Sequence, residues 1–167
     1  MALNSYLKIK GQKQGDFKGS VIQKGREGWI EVNAFDHEIL SPRDAATGQA
    51  TGRRQHKPLV ITKELDQSST MLLTALISNE TLSSVELKCF APNKLGAAGG
   101  QGVETLQYTI ALSNAHIVSV RTQMLNNKNP DLVRYEQFEE VAFTYEKISW
   151  TWHLGNKTAA DSWAAAV

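Results

Sequence analysis

The chain has four histidines, His37, His56, His116 and His153, the residue type best suited to moving protons or holding a metal ion near neutral pH. Sequence-local zinc sites need His or Cys partners a few residues apart, and none of the four has one. Their convergence in space stays open, but the local pattern reads as four separate imidazoles, and no metal is expected. Nucleophilic hydrolysis has no local support either, because no Gly-x-Ser-x-Gly elbow occurs among the serines. Glu139 and Glu140 are adjacent, and on a strand they point to opposite faces, which denies them the shared geometry of a carboxylate dyad. The glycine-rich stretch 92–102 lacks the Lys-Ser/Thr pair of a P-loop and does not lead into a helix, so it reads as a hairpin connection. No catalytic residue and no cofactor is expected, and an enzyme is not the reading the inventory favours.

A different chemistry sits in residues 41–57. Arg43, Arg53, Arg54, His56 and Lys57 face a single acid, Asp44, in a run that includes Pro42, Gly48, Gly52 and Gln55 and has almost no apolar periodicity. Connections longer than about 12–15 residues without structure of their own are uncommon in compact domains and are usually functional or disordered. One reading is a solvated loop. The other is a docking arm that orders against a partner and uses the planar fork of arginine for bidentate contacts.

The elements that must carry such an arm are strands. In residues 139–152 the apolar side chains alternate: Val141, Phe143 and Tyr145 share one parity and Ile148, Trp150 and Trp152 the other. A β-bulge near Glu146-Lys147 would absorb the extra residue. Residues 29–35 alternate with bulk on both faces, Ile30, Val32 and Ala34 against Trp29, Glu31, Asn33 and Phe35, as in a strand covered on its second side by another sheet or subunit. Further strands are expected at 6–9, 59–62, 85–90, 106–112 and 117–120, with a break at Ser113-Asn114-Ala115 and a turn at 126–130. Cys89, in phase with Val85 and Leu87, is expected to be a buried strand residue. One helix is expected at about residues 69–79, capped by Ser69 or Ser68, with Leu72, Leu73, Leu76 and Ile77 on its buried face. The tail after about residue 155 is expected to be loosely held.

The 167 residues fall within the usual size of one domain, and 41% hydrophobic with 21% charged residues is globular composition, so a single domain over 1–167 is expected. A formal charge of +1 gives no reason to expect nucleic acid, whose binding depends on lysine and arginine neutralising phosphates. The first residues lack a basic segment followed by an apolar one, so the general secretory route is not expected, and no run approaches the roughly 18 apolar residues of a membrane span. The expectation is a protein made in the cytoplasm that, if it leaves the cell, is carried by a machine.

Four segments carry a resemblance: Gly28-Trp29-Ile30-Glu31-Val32; Ser41-Pro42-Arg43-Asp44 with residues 51–58 (Thr-Gly-Arg-Arg-Gln-His-Lys-Pro); Ile61-Thr62-Lys63-Glu64-Leu65-Asp66 with Ser68-Ser69; and residues 141–151 (Val-Ala-Phe-Thr-Tyr-Glu-Lys-Ile-Ser-Trp-Thr). Together they resemble the Hcp family, the haemolysin-coregulated proteins. The resemblance implies a mainly β fold, a closed or nearly closed antiparallel β-barrel or two-sheet sandwich with one flanking α-helix and a long extended loop at 41–57. It further implies a bacterial type VI secretion tube: hexameric rings that stack into a hollow tube, are expelled by a contractile sheath without a signal peptide, and carry small effectors in the lumen. The implied partners are further copies of the chain, the sheath, spike and baseplate proteins, and the effectors. Asn33 and Asp36 are the expected lumen-facing residues. Trp29, Glu31, Phe35, Phe143, Tyr145, Trp150 and Trp152 are the expected subunit-interface residues, and Pro42, Arg43, Asp44, Gly48, Gly52, Arg53, Arg54, Gln55 and His56 the docking loop. The neighbouring readings are the tube of a phage tail or other contractile machine and, further off, a small β-barrel ligand-binding module or enzyme.

Overall fold

Alternation of Ile110 and Leu112 and then, at the opposite parity, of Ala115 and Ile117 builds the longest strand of the protein, and all four side chains are buried. The structure is a computed structural model that describes residues 3–92 and 104–164. Its strands are β1 (Ser5–Gly11), β2 (Gly15–Asp16), β3 (Ile30–Val32), β4 (Ala34–Asp36), β5 (Ile39–Leu40), β6 (Gln55–His56) and β7 (Leu59–Glu64), followed after helix α1 (Ser68–Ile77) by β8 (Leu82–Pro92), β9 (Glu104–Gln123), β10 (Phe138–Thr144), β11 (Lys147–Trp152) and β12 (Lys157–Ser162). The expected glycine-rich connection lies, from residue 93, outside the described residues, as do residues 165–167 of the tail.

Among the described residues the fold is mainly β and antiparallel, with one α-helix. The main sheet runs β2-β1-β8-β9-β10-β7-β4, and β9 is the hinge between its two layers. The first half of β9 pairs with β8 and β11, the second half with β10. No break interrupts it at Ser113-Asn114-Ala115. Instead Asn114 takes a left-handed conformation (φ 48°) inside a continuous strand and reverses which side chains face inward.

Its partner turns the same corner. The expected bulge at Glu146-Lys147 is an interruption: β10 ends at Thr144 and pairs with β7 and β9, whereas β11 starts at Lys147 and pairs with β12 and β9. The extra residue is absorbed because the chain passes from one layer to the other. On the opposite side the alternating segment 29–35 is likewise two strands, β3 on β1 and β4 on β7, with the Asn33 amide donating to the Thr62 carbonyl at 2.8 Å between them. That line brings the two ends of the sheet together into a nearly closed barrel.

Inside lie Leu7, Ile9, Ile30, Val32, Leu59, Ile61, Val85, Leu87, Val141, Phe143 and Ile148, all buried and in one cluster. Each large one contributes about 1.5–3 kcal/mol through removal from water. Cys89 sits at the edge of that cluster and is half-buried rather than enclosed.

The helix begins one residue earlier than expected, and neither serine is its cap. The Asp66 carboxylate accepts from the Ser68 amide (2.8 Å), and Ser69 Oγ donates instead to Glu139 Oε1 (2.8 Å). Asn79, at φ 49°, ends it, with the Glu80 amide reaching back to the Ala75 carbonyl. Only Ser68, Leu72 and Ala75 are buried. Leu73 and Ile77, expected on the buried face, are exposed, Ile77 by 82%, because the sheet covers a narrower arc than the apolar stripe spans. The tail is also corrected: residues 157–162 are β12, paired along its length with β11, and Trp163 donates its amide to the Glu146 carbonyl. Their sequence, Lys-Thr-Ala-Ala-Asp-Ser, has no apolar alternation to find, yet backbone pairing needs none.

Candidate functional site: the 41–57 arm and its anchored base

Residues 41–57 are an ordered hairpin arm. At its root β5 pairs with β6, Ile39 opposite His56 and Leu40 opposite Gln55. Further out, Arg43 bridges to Ala50 and the Thr51 amide donates to the Pro42 carbonyl. The tip is built by Asp44. Its Oδ1 accepts from the Ala46 amide (2.9 Å), the Thr47 amide (2.7 Å) and Thr47 Oγ1 (3.0 Å), which holds the carboxyl below the usual carboxylate range. Gly48, at φ 71°, donates to the Asp44 carbonyl and closes the turn. Arg43, Asp44, Gly48, Gly52, Arg53 and Gln55 are exposed and Pro42 is half-buried, so the arm offers polar groups along its length. The arm supplies its own order from backbone and Asx bonds, which a reading of apolar periodicity does not detect.

Two of its residues turn inward. Arg54 makes a bidentate contact with Asp161 of β12 through Nε and Nη2, and Nη2 also donates to the Ser162 carbonyl at 3.2 Å. His56 is buried. Its Nε2 lies 2.8 Å from Asp161 Oδ2 and its Nδ1 2.9 Å from Tyr145 Oη, which is also 2.7 Å from His37 Nε2. The Arg54 guanidinium holds the Asp161 carboxyl well below the usual carboxylate range, with the His56 bond adding to it. Burial, with the Asp161 charge behind it, pushes Tyr145 up to about 12. Burial first and the neighbouring His56 second push His37 down. These shifts keep the phenol protonated and disfavour charge on His37 near neutral pH.

Asp36 and Ala34 sit opposite Val60 and Thr62 on β7, on the face of the sheet turned away from the core, and Asp36 is exposed. Asn33 is exposed at the β3–β4 junction and lines a shallow hollow of about 150 Å³ with Ser20, Glu31, Glu64 and Asp66. Among the described residues no group of three or more His, Cys, Asp or Glu side chains is placed to hold a metal ion, and no helix is long and apolar enough to cross a membrane.

The model of the family described as "Type VI secretion system effector, Hcp" matches residues 6–152. The chain belongs to the Hcp family. It is 39% identical, over 176 residues, to a "Major exported protein" of Pseudomonas aeruginosa PAO1, covering 100% of this chain and 99% of that one. Among solved structures it is similar to a mutant form of Hcp1 from the E. coli EAEC 042 pathovar, at 36% identity and TM-score 0.82, over 97% of this chain and 99% of that one. It is also similar to the secreted protein Hcp3 of P. aeruginosa, at 31% identity and TM-score 0.77, over 98% and 100%.

Within this Hcp chain the expected interface residues separate. Glu31, Phe35 and Trp152 are exposed, the last two by 42% and 41%. Trp29 and Trp150 are half-buried, and the Trp29 ring has the Lys8 and Lys88 ammonium groups 5.4 and 5.3 Å from its centroid. Phe143 and Tyr145 have no surface to give to a neighbour: Phe143 is wholly buried in the core and Tyr145 is enclosed with the two histidines. Strand parity marked them as facing one way, but that way is inward. The sequence reading missed His37 and Asp161 as partners of the arm. The signal was faint, since the five residues of the network are spread from position 37 to position 161 and only the fold brings them together.

Proposed function

We propose that this Hcp chain is a tube subunit of a type VI secretion system: six copies close into a ring, rings stack into a hollow tube, and a contractile sheath expels the tube with small effector proteins in its lumen. The observation that carries the reading is membership of the Hcp family over residues 6–152, and the nearly closed barrel with an ordered, polar, protruding arm supports it. A subunit that must meet one neighbour in its ring and another in the next layer needs heterologous surfaces, and head-to-tail contacts close into rings where the rotation allows. The exposed residues Glu31, Phe35 and Trp152 fit the ring contact. The arm fits the contact between layers. Asp36 and Asn33 fit the lumen wall, and export proceeds through the machine, with sheath, spike and baseplate proteins as partners. The role is structural, without catalysis.

Mass measurement of the purified protein by sedimentation, at tens of micromolar and moderate salt, tests the reading. A hexamer is expected. A species that stays monomeric across that range overturns it and returns the chain to the ligand-binding class.

A further inference from the structure

We propose that the His37–Tyr145–His56–Asp161–Arg54 chain is a proton-sensitive latch: it ties both sides of the root of the 41–57 arm to the barrel while at most one of its two imidazoles is charged, and it opens at His37 when both are. The inference rests on the proposed docking role of the arm and names its regulation.

The geometry fixes where the protons are. Asp161 also receives Arg54, so its carboxylate can only accept, and His56 Nε2, 2.8 Å away, must carry a hydrogen. In neutral His56 the other nitrogen, Nδ1, is then a lone pair, and at 2.9 Å it accepts the Tyr145 hydroxyl proton. The hydroxyl oxygen in turn accepts from His37 Nε2 at 2.7 Å. All bonds in this chain run one way, from His37 through Tyr145 to His56 to Asp161.

One additional proton is tolerated. Placed on His37 Nδ1, it leaves every bond unchanged. Placed on His56 Nδ1, it reverses the hydroxyl, which then donates to His37 Nε2 as that ring moves its own hydrogen to Nδ1. A second proton has no such arrangement. Both rings then aim N–H groups at one oxygen, the buried hydroxyl hydrogen loses its acceptor, and two cations flank one phenol with Asp161 already shared by Arg54. The remaining groups relieve this only in part. Trp150 lies over His37 and Trp163 over His56 as neutral rings, the exposed Asp36 favours charge on His37 but less than burial and His56 oppose it, and Glu38 is paired with Lys57 at 2.6 Å. The lowered affinity of His37 for a proton, caused in part by the neighbouring His56, agrees with this penalty on a second charge. Charged His56 keeps its bond to Asp161, now charge-assisted, so the contact that gives way is the one from His37 to Tyr145, and because His37 lies two residues before β5 its release loosens the strand that enters the arm.

The test labels the arm with a nitroxide at Ala46→Cys in a Cys89→Ser background and follows its mobility from pH 7.5 to 5.0 in unstacked protein. Mobility is expected to rise as the second imidazole charges, and a His37→Gln variant, which can still donate to Tyr145 but cannot charge, is expected to stay closed to pH 5.0. An arm equally immobile at both ends of the range, or a His37→Gln arm released at the same pH as the parent, overturns the latch. A second reading, NMR titration of the two imidazoles in the unlabelled protein, covers misfolding of the variant. Two separated steps, with arm order lost at the lower one, support the latch, and two coincident ordinary titrations with the arm unmoved overturn it. Because the label is read without tubes, its outcome is independent of whether the arm joins one ring to the next.

Discussion

The Asn114 side-chain amide donates to the Glu146 carboxylate across 2.7 Å, and at this pair both β9 and its β10–β11 partner pass from one layer of the barrel to the other. The Glu146 amide reciprocates by donating to the Ser113 and Asn114 carbonyls at 3.2 and 3.3 Å. Asparagine suits the place because it tolerates the left-handed backbone and supplies a donor at once. Asn114→Gly keeps the backbone and loses the bond, at a cost of about 0.5–1 kcal/mol. Asn114→Val loses both and adds about 1–2 kcal/mol of backbone strain. Urea midpoints should therefore fall in the order wild type, glycine, valine, and a valine variant as stable as the glycine one would show that the corner is not held by this conformation.

A second prediction concerns the buried pair at the foot of the helix. Lys63 Nζ lies 2.7 Å from Glu139 Oε1 and 3.0 Å from Asp66 Oδ1, with both Lys63 and Glu139 wholly buried. Among the described residues Glu139 Oε2 has no hydrogen-bond partner, so the ammonium is what makes its charge tolerable there. Lys63→Met should cost about 3–5 kcal/mol by stranding the carboxylate. Lys63→Met with Glu139→Leu should recover most of that loss, because removing both charges removes the desolvation penalty too. A double variant no better than the single one would contradict this account.

What the sequence revealed of this fold follows from which forces leave a local trace. The strands of the core were legible because Val141, Phe143, Ile148, Ile110 and Leu112 must alternate to reach one interior. β12 was not, since Lys-Thr-Ala-Ala-Asp-Ser carries no apolar alternation and what holds it is backbone pairing with β11 and the contacts of Asp161 with Arg54 and His56. The parity change between Tyr145 and Ile148 was visible, but whether it was a bulge or a change of layer depends on Asn114, more than thirty residues earlier. The arm was legible as something other than a simple connection. Its split into exposed Arg53 and anchored Arg54 was not, because the anchor, Asp161, lies at the far end of the chain.

The lowered pKa of His37 makes a statement about pH and stability. In the unfolded chain this imidazole takes its proton around pH 6.5, whereas burial and His56 delay that in the folded protein. Its contribution is therefore fully present above about pH 6.5 and is lost as pH falls toward the depressed folded value, below which the loss levels off. Asp161 has the same sign in a more acidic window, lost only below the ordinary carboxylate range. His37→Gln should flatten the stability profile between pH 7 and 5 and leave the steeper acid limb in place. An unchanged slope in that window in thermal melts would assign it to other groups.

If the outward face of β4 and β7 lines the lumen, Asp36 is an accessible charge on it, with Glu64 further along β7. Asp36→Lys reverses that charge six times per ring in the proposed hexamer and touches nothing in the core, so the ring should persist by sedimentation while retention of a co-expressed effector changes severalfold. Breakdown of the ring instead would place Asp36 at a subunit contact.

The arm provides the last prediction, in which two adjacent arginines should behave differently. Arg53 is exposed, whereas Arg54 is spent on Asp161 and the Ser162 carbonyl of its own chain. In the proposed tube, contacts between an exposed arginine and a neighbouring ring would contribute about 1 kcal/mol or less each, yet would repeat around every layer. Arg53→Ala, with Arg43→Ala, should leave fold and ring intact while shortening tubes and reducing export, and the difference from wild type should fade as salt rises. Arg54→Ala should act through the chain itself, loosening the root of the arm and lowering thermal stability, because it leaves the Asp161 carboxylate with His56 as its remaining side-chain partner. Electron micrographs of tube length beside melting curves separate the two: short tubes with an unchanged melting point for the Arg43/Arg53 variant, and a lowered melting point for Arg54→Ala. Tubes of normal length from the first variant would reduce the exposed part of the arm to a solvated hairpin.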